Sequence, residues 1–325
     1  MWGMDIVMKK GLSLLLVLMM FCMVGCQNTS KVDTTVPSTV SATAANTEIK
    51  FIDDSGKEIV LSSPATKIVS LYSVHTENLF SFGLNEEIIG VGTSDSYPEE
   101  ASKKTQYSFK DDPELLIAAK PDVVLVRTMI INSYPDYIKA IEDAGITVVN
   151  LYCTEFEQFD DYITRLGMLV GKNDEAKNLI SKFHKSIDDM KAQCSKLETK
   201  KKVYFESIGD KFKTATPNSF AGTALQILGL ENIASDVVFD GKATVVEYGE
   251  EALLAKGKDI DIYIAQKGTM NKAVSVDEIK VRPGYDAIRA VQENHIIIID
   301  EKLISSATMR YIEGLKELYS QIYGK

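Results

Sequence analysis

Charged side chains stand where several apolar runs of this sequence end. Arg127 follows DVVLV, Lys267 follows IDIYIAQ, and Arg310 opens the last amphipathic segment. Glu206 directly follows KVYF, and Lys213 ends the short polar stretch after it. A guanidinium group is always charged, and its planar fork suits carboxylates, catecholates or phosphates. Because ligands of open α/β sheets bind beyond the carboxyl ends of the strands, these residues predict a cleft that binds an anion.

The same charged residues have structural interpretations. Arg127 could form an ion pair with a carboxylate of its own lobe, and Arg310 could form a surface salt bridge that contributes little. Glu206 could pair with Lys213 or Arg310 and hold it in place. We predict that Arg127 and Arg310 lie on opposite lobes and face each other across the cleft.

Tyrosines at similar positions widen the range of ligands. Tyr72 and Tyr97 follow two further apolar runs, and Tyr152 and Tyr248 are additional candidates. Their rings could stack on a corrin or a haem. His75 opens a helical segment, where a single histidine is more often a cap or a surface residue than an axial metal ligand. The ligand therefore stays open between an anionic chelate, a macrocycle and a metal oxyanion.

Motifs of catalysis are missing from the sequence. It contains no GxSxG, no GxxxxGKS and no CxxC, and no Cys or His cluster has zinc spacing. The net charge of −10, from 46 acidic and 36 basic residues, argues against binding to nucleic acid. We expect a non-catalytic binding protein without a resident cofactor or metal. The alternatives are a two-lobe α/β enzyme and an adhesive surface protein.

The elements that would position these residues follow a regular alternation. Short apolar runs alternate with amphipathic segments before residue 156 and again after residue 200, which predicts mainly parallel sheets covered on both faces. Between them, apolar residues at a spacing of three or four predict a helix over residues 174–197, roughly 36 Å long at 1.5 Å per residue. The predicted fold class is α/β, with two Rossmann-like lobes joined by a single long rigid helix.

The predicted lobes have defined limits. Residues 48–156 form the N-terminal lobe, residues 157–199 a helical linker, and residues 200–325 the C-terminal lobe. The first lobe opens with EIKFIDDSGKEIVL, whose alternating runs about an Asp-Ser-Gly turn predict a hairpin. Cys153 and Cys194 fall in apolar patterns, and we expect buried free thiols rather than a disulfide.

The N-terminal segment has the features of an export signal. Lys9 and Lys10 precede an apolar stretch over residues 11–25, shorter than the roughly 20 residues that span a membrane. The stretch ends MVGC at Cys26, which resembles the lipobox of bacterial lipoproteins. That resemblance implies removal of residues 1–25 and a diacylglycerol on the Cys26 thiol. Residues 26–47, rich in Ser, Thr and Ala, predict a flexible tether.

Longer stretches carry a second resemblance: PELLIAAKPDVVLV, YFESIGDKFKT, and VRPGYDAIRAV followed by HIIIID. Over residues 48–325 the sequence resembles the substrate-binding lipoproteins of ABC importers, in the class that serves iron-siderophores, haem and cobalamin. The resemblance implies two lobes with the ligand between them, and a monomer anchored by lipid to the extracytoplasmic face of the cell membrane. Its partners would be a metal chelate and an ABC permease dimer with its ATPase.

The resemblance also implies a docking surface. In that family one glutamate on each lobe forms salt bridges with arginines of the permease dimer. The matching positions are Glu114 and Glu251, although Glu247 or Glu250 could replace the second. Both glutamates lie in the first turn of a predicted helix, where a carboxylate also complements the helix dipole without any partner.

Overall fold

The computed structural model describes residues 48–197, 200–239, 241 and 243–324. The predicted signal peptide, Cys26 and the tether lie outside these residues.

The described chain begins with the predicted hairpin. Strands β1 (Ile49–Ile52) and β2 (Glu58–Leu61) pair antiparallel. The Asp53 carboxylate accepts hydrogen bonds from the backbone N–H groups of Ser55 and Lys57, at 2.9 and 3.0 Å, which closes the turn. Its other oxygen accepts from the N–H of Asn150 at 3.0 Å, so the turn is fixed to the end of the first sheet.

The first sheet has five parallel strands in the order β5-β4-β3-β6-β7. The strands are β3 (Ile68–Ser70), β4 (Ile88–Gly92), β5 (Thr105–Tyr107), β6 (Val123–Val126) and β7 (Thr147–Asn150). Its helices are α1 (Ser73–Ser81), α2 (Glu114–Ala118), α3 (Thr128–Ser133) and α4 (Pro135–Asp143). Every residue of β6 is buried, as expected for a parallel strand covered on both faces.

Two helices lead from the first sheet to the second. α5 (Phe159–Leu169) is followed by α6 (Asn173–Cys194), whose 22 residues extend about 33 Å at 1.5 Å per residue. The predicted long helix is confirmed, but it ends before Ser195 rather than at Leu197. α6 buries Leu179, Phe183, Ile187 and Met190 at a spacing of three or four, which is the predicted apolar face.

The second sheet has the strand order β11-β9-β8-β12-β13, with β10 beside the beginning of β8. The strands are β8 (Lys202–Ile208), β9 (Lys213–Ala215), β10 (Glu231–Asn232), β11 (Val245–Glu247), β12 (Ile262–Lys267) and β13 (Ile296–Asp300). Its helices are α7 (Phe220–Ile227), α8 (Glu250–Ala255), α9 (Val276–Lys280), α10 (Arg289–Gln292), α11 (Glu301–Ile304) and α12 (Tyr311–Tyr323). β8, β12 and β13 are parallel, whereas β9 runs antiparallel to both of its neighbours.

One hydrophobic core runs through both lobes along α6, which contacts α5 on one side and α7 and α12 on the other. The Phe159 and Phe183 rings stack at 3.9 Å between centroids, and Phe220 meets Tyr311 edge-on at 5.3 Å. Separate cores cover the far face of each sheet. The predicted α/β fold class is therefore confirmed, and an antiparallel edge makes the second sheet mixed. In the ranges that the structure describes, no helix combines the length and apolar character needed to cross a membrane.

Candidate ligand-binding cleft

The crevice of the first sheet lies where its strand order reverses, between β3 and β6. Tyr72 follows β3 and Arg127 follows β6, so the fold brings these two predicted residues together. The Arg127 guanidinium carbon lies 4.8 Å from the centroid of the Tyr72 ring, a cation–π contact. The Tyr72 ring meets Tyr152 edge-on at 6.0 Å.

Arg127 differs from the other arginines of the described chain. Arg165, Arg282, Arg289 and Arg310 each form a salt bridge with a carboxylate. Arg127 forms none within the described residues, where its neighbours are aromatic. A half-buried guanidinium without a carboxylate partner is suited to an anion from outside the chain.

The opposite wall comes from the second sheet, whose strand order reverses between β8 and β12. Gln266 at the end of β12 donates to the Ser207 carbonyl at 3.2 Å and accepts from the Ser305 hydroxyl at 2.6 Å. The Ser207 hydroxyl is buried and has no hydrogen-bond partner in the described part of the chain. This wall therefore offers hydroxyl groups opposite the Arg127 guanidinium.

The two walls enclose a cavity of about 220 Å³, which we name the inner chamber. Both lobes contribute to its lining, which includes Tyr72, Arg127, Tyr152, Cys153, Ser207, Gln266, Lys302 and Ser305. Cys153 is a free thiol and only partly buried, whereas Cys194 is free and buried. The expectation of two unpaired thiols is confirmed, and Cys153 lines the inner chamber while also packing against the main core.

A second space, the outer pocket, adjoins the inner chamber and has a volume of about 540 Å³. The two spaces share Thr269, Glu301 and Lys302. The predicted residues Tyr97, Lys267 and Arg310 line the outer pocket, together with Lys272, Asp300 and others. Lys302 was not among the predicted residues, although it lies two residues beyond the carboxyl end of β13, where ligands of open α/β sheets bind.

Arg310 has a carboxylate partner on the other lobe. Its Nη1 lies 3.3 Å from Oε1 of Glu77 on α1, and its guanidinium stacks 4.3 Å above the Tyr97 ring. Glu77 is only 5% exposed, and this burial raises its pKa to about 7 even though Arg310 lies beside it. Arg127 and Arg310 therefore line different, adjoining spaces of the cleft, and their facing each other stays a prediction.

Glu206 is also paired, but not with the expected partners. Its carboxylate is buried, forms a salt bridge with Arg282, and accepts from the Asn271 amide at 2.8 Å. Neither Lys213 nor Arg310 is its partner. Lys213 lies beside Glu247 in the register of β9 and β11, and it is not among the lining residues of the inner chamber or outer pocket. Ligand contact by Glu206 and Lys213 stays a prediction.

His75 is a core residue, which corrects its interpretation as a cap or surface residue. Its Nε2 lies 3.2 Å from the Val126 carbonyl oxygen, which can only accept, so we assign the proton to Nε2. Nδ1 then accepts from the Tyr162 hydroxyl at 2.8 Å. Burial lowers the His75 pKa to about 4, so the ring is neutral and holds the backbone next to Arg127.

The two predicted docking glutamates are both exposed at helix starts. Glu114 is the first residue of α2, and Glu251 is the second residue of α8. Glu250 and Glu247 are exposed as well, so the register on the second lobe stays open. No partner is present, and docking stays a prediction.

The sequence and fold of this chain are similar to those of known proteins. Residues 68–303, well over half of the chain, match the periplasmic binding protein family, and the chain belongs to it. It is 28% identical over 278 residues to YvrC of Bacillus subtilis, an uncharacterized ABC transporter substrate-binding lipoprotein, covering 84% of this chain and 85% of that protein. The Fe(3+)-citrate-binding protein YfmC of Bacillus subtilis is 22% identical, over 96% of this chain and 98% of its own length.

Among solved structures, one similar protein is a possible iron-binding (periplasmic solute-binding) protein from Staphylococcus epidermidis ATCC 12228. It is 29% identical, with a TM-score of 0.69 over 80% of this chain and all of its own. The likeness covers the two-lobe architecture that holds the inner chamber and the outer pocket.

Proposed function

We propose that this chain is the receptor of an ABC importer, and that it captures an anionic metal chelate in the inner chamber. The observation that carries the proposal is the position of Arg127. It lies at the crevice between β3 and β6, where the strand order of the first sheet reverses, and it has no carboxylate partner among the described residues. The cleft position follows the general rule for ligands of open α/β sheets. Family membership and the names of the relatives YvrC and YfmC support the same class of function.

The chemistry of the chamber favours a compact anion. Arg127 supplies a permanent positive charge, and Lys302 supplies a second one from the other lobe. The hydroxyls of Ser207 and Ser305 add uncharged hydrogen-bonding groups on the opposite wall. A metal ion wrapped by carboxylates or catecholates presents negative oxygen atoms to all of these groups, so the chain binds the chelate rather than the bare ion.

Anchoring and docking complete the proposal. The lipid on Cys26 would hold the receptor at the extracytoplasmic face of the membrane, because two acyl chains anchor stably where one binds only marginally. Tethering raises the local concentration of the receptor beside its permease. Glu114 and Glu251, exposed on different lobes, would each meet an arginine of the permease dimer.

The proposal is tested by binding of defined probes to the purified protein. We expect ferric citrate to raise the melting temperature and to bind in titration calorimetry, and small molecules retained through purification to be identified by mass spectrometry. Cyanocobalamin and haemin serve as the comparison probes. A protein that retains no chelate and is not stabilised by ferric citrate, haemin or cyanocobalamin would contradict the proposed cargo.

A further inference from the structure

Lys302 connects the two lobes across the cleft. It lies in the first turn of α11, where its backbone N–H donates to the Asp300 cap at 2.8 Å. Its ammonium donates to the Ser94 carbonyl oxygen of the first lobe at 3.1 Å, and the Ser96 hydroxyl lies 3.5 Å away. The base of the side chain is therefore fixed on one lobe and its tip on the other.

Two buried acids of the first lobe attract the ammonium electrostatically. Burial raises the pKa of Glu77 to about 7 and that of Asp95 to about 6, and Lys302 is among the groups that lower both. The other groups at these carboxylates are Arg310 and Thr308 at Glu77, and Thr76, Ser94 and the Gly92 backbone at Asp95. This attraction adds to the hydrogen bond at Ser94, which is the direct contact of the ammonium with the first lobe.

Lys302 also stands where the two spaces of the cleft meet, since it lines both. The inner chamber, at about 220 Å³, is smaller than the roughly 300–1,000 Å³ of typical ligand sites. The outer pocket, at about 540 Å³, is within that range but more open to solvent. If Lys302 withdrew, the two spaces would join into one volume well inside the range.

We infer that Lys302 is a specificity-determining residue that divides the cleft. A compact anionic chelate fits beneath its side chain and meets both Arg127 and the ammonium. A macrocyclic chelate has to displace Lys302 to occupy the joined space. The division of the cleft follows from the geometry alone, whereas the consequence for cargo rests on the proposed function.

Cys153 provides a reporter of access that needs no ligand, because this residue lines the inner chamber and not the outer pocket. The labelling rate of Cys153 is measured with two uncharged reagents of the same chemistry, N-methylmaleimide and the bulky N-pyrenylmaleimide. Peptide mass spectrometry of the full chain follows Cys153 and Cys194 separately. Burial raises the pKa of the Cys153 thiol, so every variant is compared at one pH.

The measured quantity is the ratio of two labelling rates of Cys153, that of the bulky reagent divided by that of the small one. We expect this ratio to be about tenfold higher in Lys302→Ala than in the parent. Tenfold corresponds to the lower end of the free energy that one hydrogen bond to a charged group contributes. Lys302→Met, which cannot donate to Ser94, should change the ratio in the same direction. Lys316→Ala, at an exposed lysine of α12, is the matched control and should change nothing. Unchanged labelling of buried Cys194 shows that each variant is folded.

An equal change for both reagents, or no change, would overturn the inference. A second measurement addresses the cargo: Lys302→Ala should shift the ratio of affinities toward haemin and away from ferric citrate, also by about tenfold. If neither probe binds any variant, the proposed cargo fails, yet the labelling ratio still decides whether Lys302 divides the cleft.

Discussion

Two arginines of the first lobe and its adjoining helix provide a matched test of the binding site. Arg127 contacts the Tyr72 ring and has no carboxylate partner in the described residues. Arg165 on α5 forms salt bridges with Asp54 and Asp161, each at 2.8 Å, and its side chain is 15% exposed. If Arg127 serves ligand binding and Arg165 stabilises the fold, Arg127→Ala should mainly lower ligand affinity and Arg165→Ala should mainly lower stability.

The magnitudes follow from these contacts. Arg127→Ala loses one cation–π contact, which contributes about 1 kcal/mol to the free energy of unfolding. Removing a buried charge-assisted contact to an anionic ligand costs about 2–5 kcal/mol of binding free energy, which corresponds to a roughly 30- to 5,000-fold weaker affinity. Arg165→Ala loses two charge-assisted pairs, discounted because Asp161 is 69% exposed, so we expect about 2 kcal/mol of lost stability.

The assay combines thermal and urea unfolding, each followed by circular dichroism, with titration calorimetry against ferric citrate. For a domain of this size, 1 kcal/mol lowers the melting temperature by roughly 2–4 °C. Arg165→Ala should therefore melt roughly 4–8 °C lower and bind normally, while Arg127→Ala should bind weakly and melt only roughly 2–4 °C lower. The reasoning is refuted if Arg127→Ala destabilises the fold as much as Arg165→Ala and leaves affinity unchanged.

Three further predictions concern other parts of the chain. Because burial raises the Glu77 pKa from 4.5 to about 7, the folded state binds the proton more tightly than the unfolded state, and the Glu77 contribution to stability should fall by about 3 kcal/mol as pH rises from 4.5 to 7. Asp95 and His75 titrate in the same range and remain in both proteins, so urea titrations at pH 5 and pH 8 should show a change in stability that differs by about 3 kcal/mol between the parent and Glu77→Gln. Glu114→Arg and Glu251→Arg should abolish uptake in cells at unchanged ligand affinity, and normal transport by the double variant would remove the docking assignment. Cys26→Ser should leave the protein uncleaved or released, as membrane fractionation would reveal; a variant processed and retained like the parent would exclude lipidation.

Local patterns in the sequence were sufficient for the architecture. Apolar residues at every third or fourth position predict α6, and short apolar runs between helical segments predict the parallel strands. Both patterns can be read from the sequence because they depend only on neighbours in the chain. The rule that ligands bind beyond the carboxyl ends of the strands then selected Tyr72 and Arg127, which the fold brings to one crevice. The short β9 and β11, of three residues each, carry too few residues for a pattern, so the antiparallel edge of the second sheet was not predicted.

Only the tertiary structure decided which charges remain available to a ligand. Glu206 and Arg282 lie 76 positions apart, and Glu77 and Arg310 lie 233 apart, yet each pair is in contact. A sequence shows that a side chain is charged, but whether a partner reaches it depends on which distant elements pack together. The same packing buries His75 and carries Lys302 across the cleft to Ser94. Pairing therefore distinguishes Arg127 from the other arginines of the described chain, because pairing is a property of the packed chain rather than of any one segment.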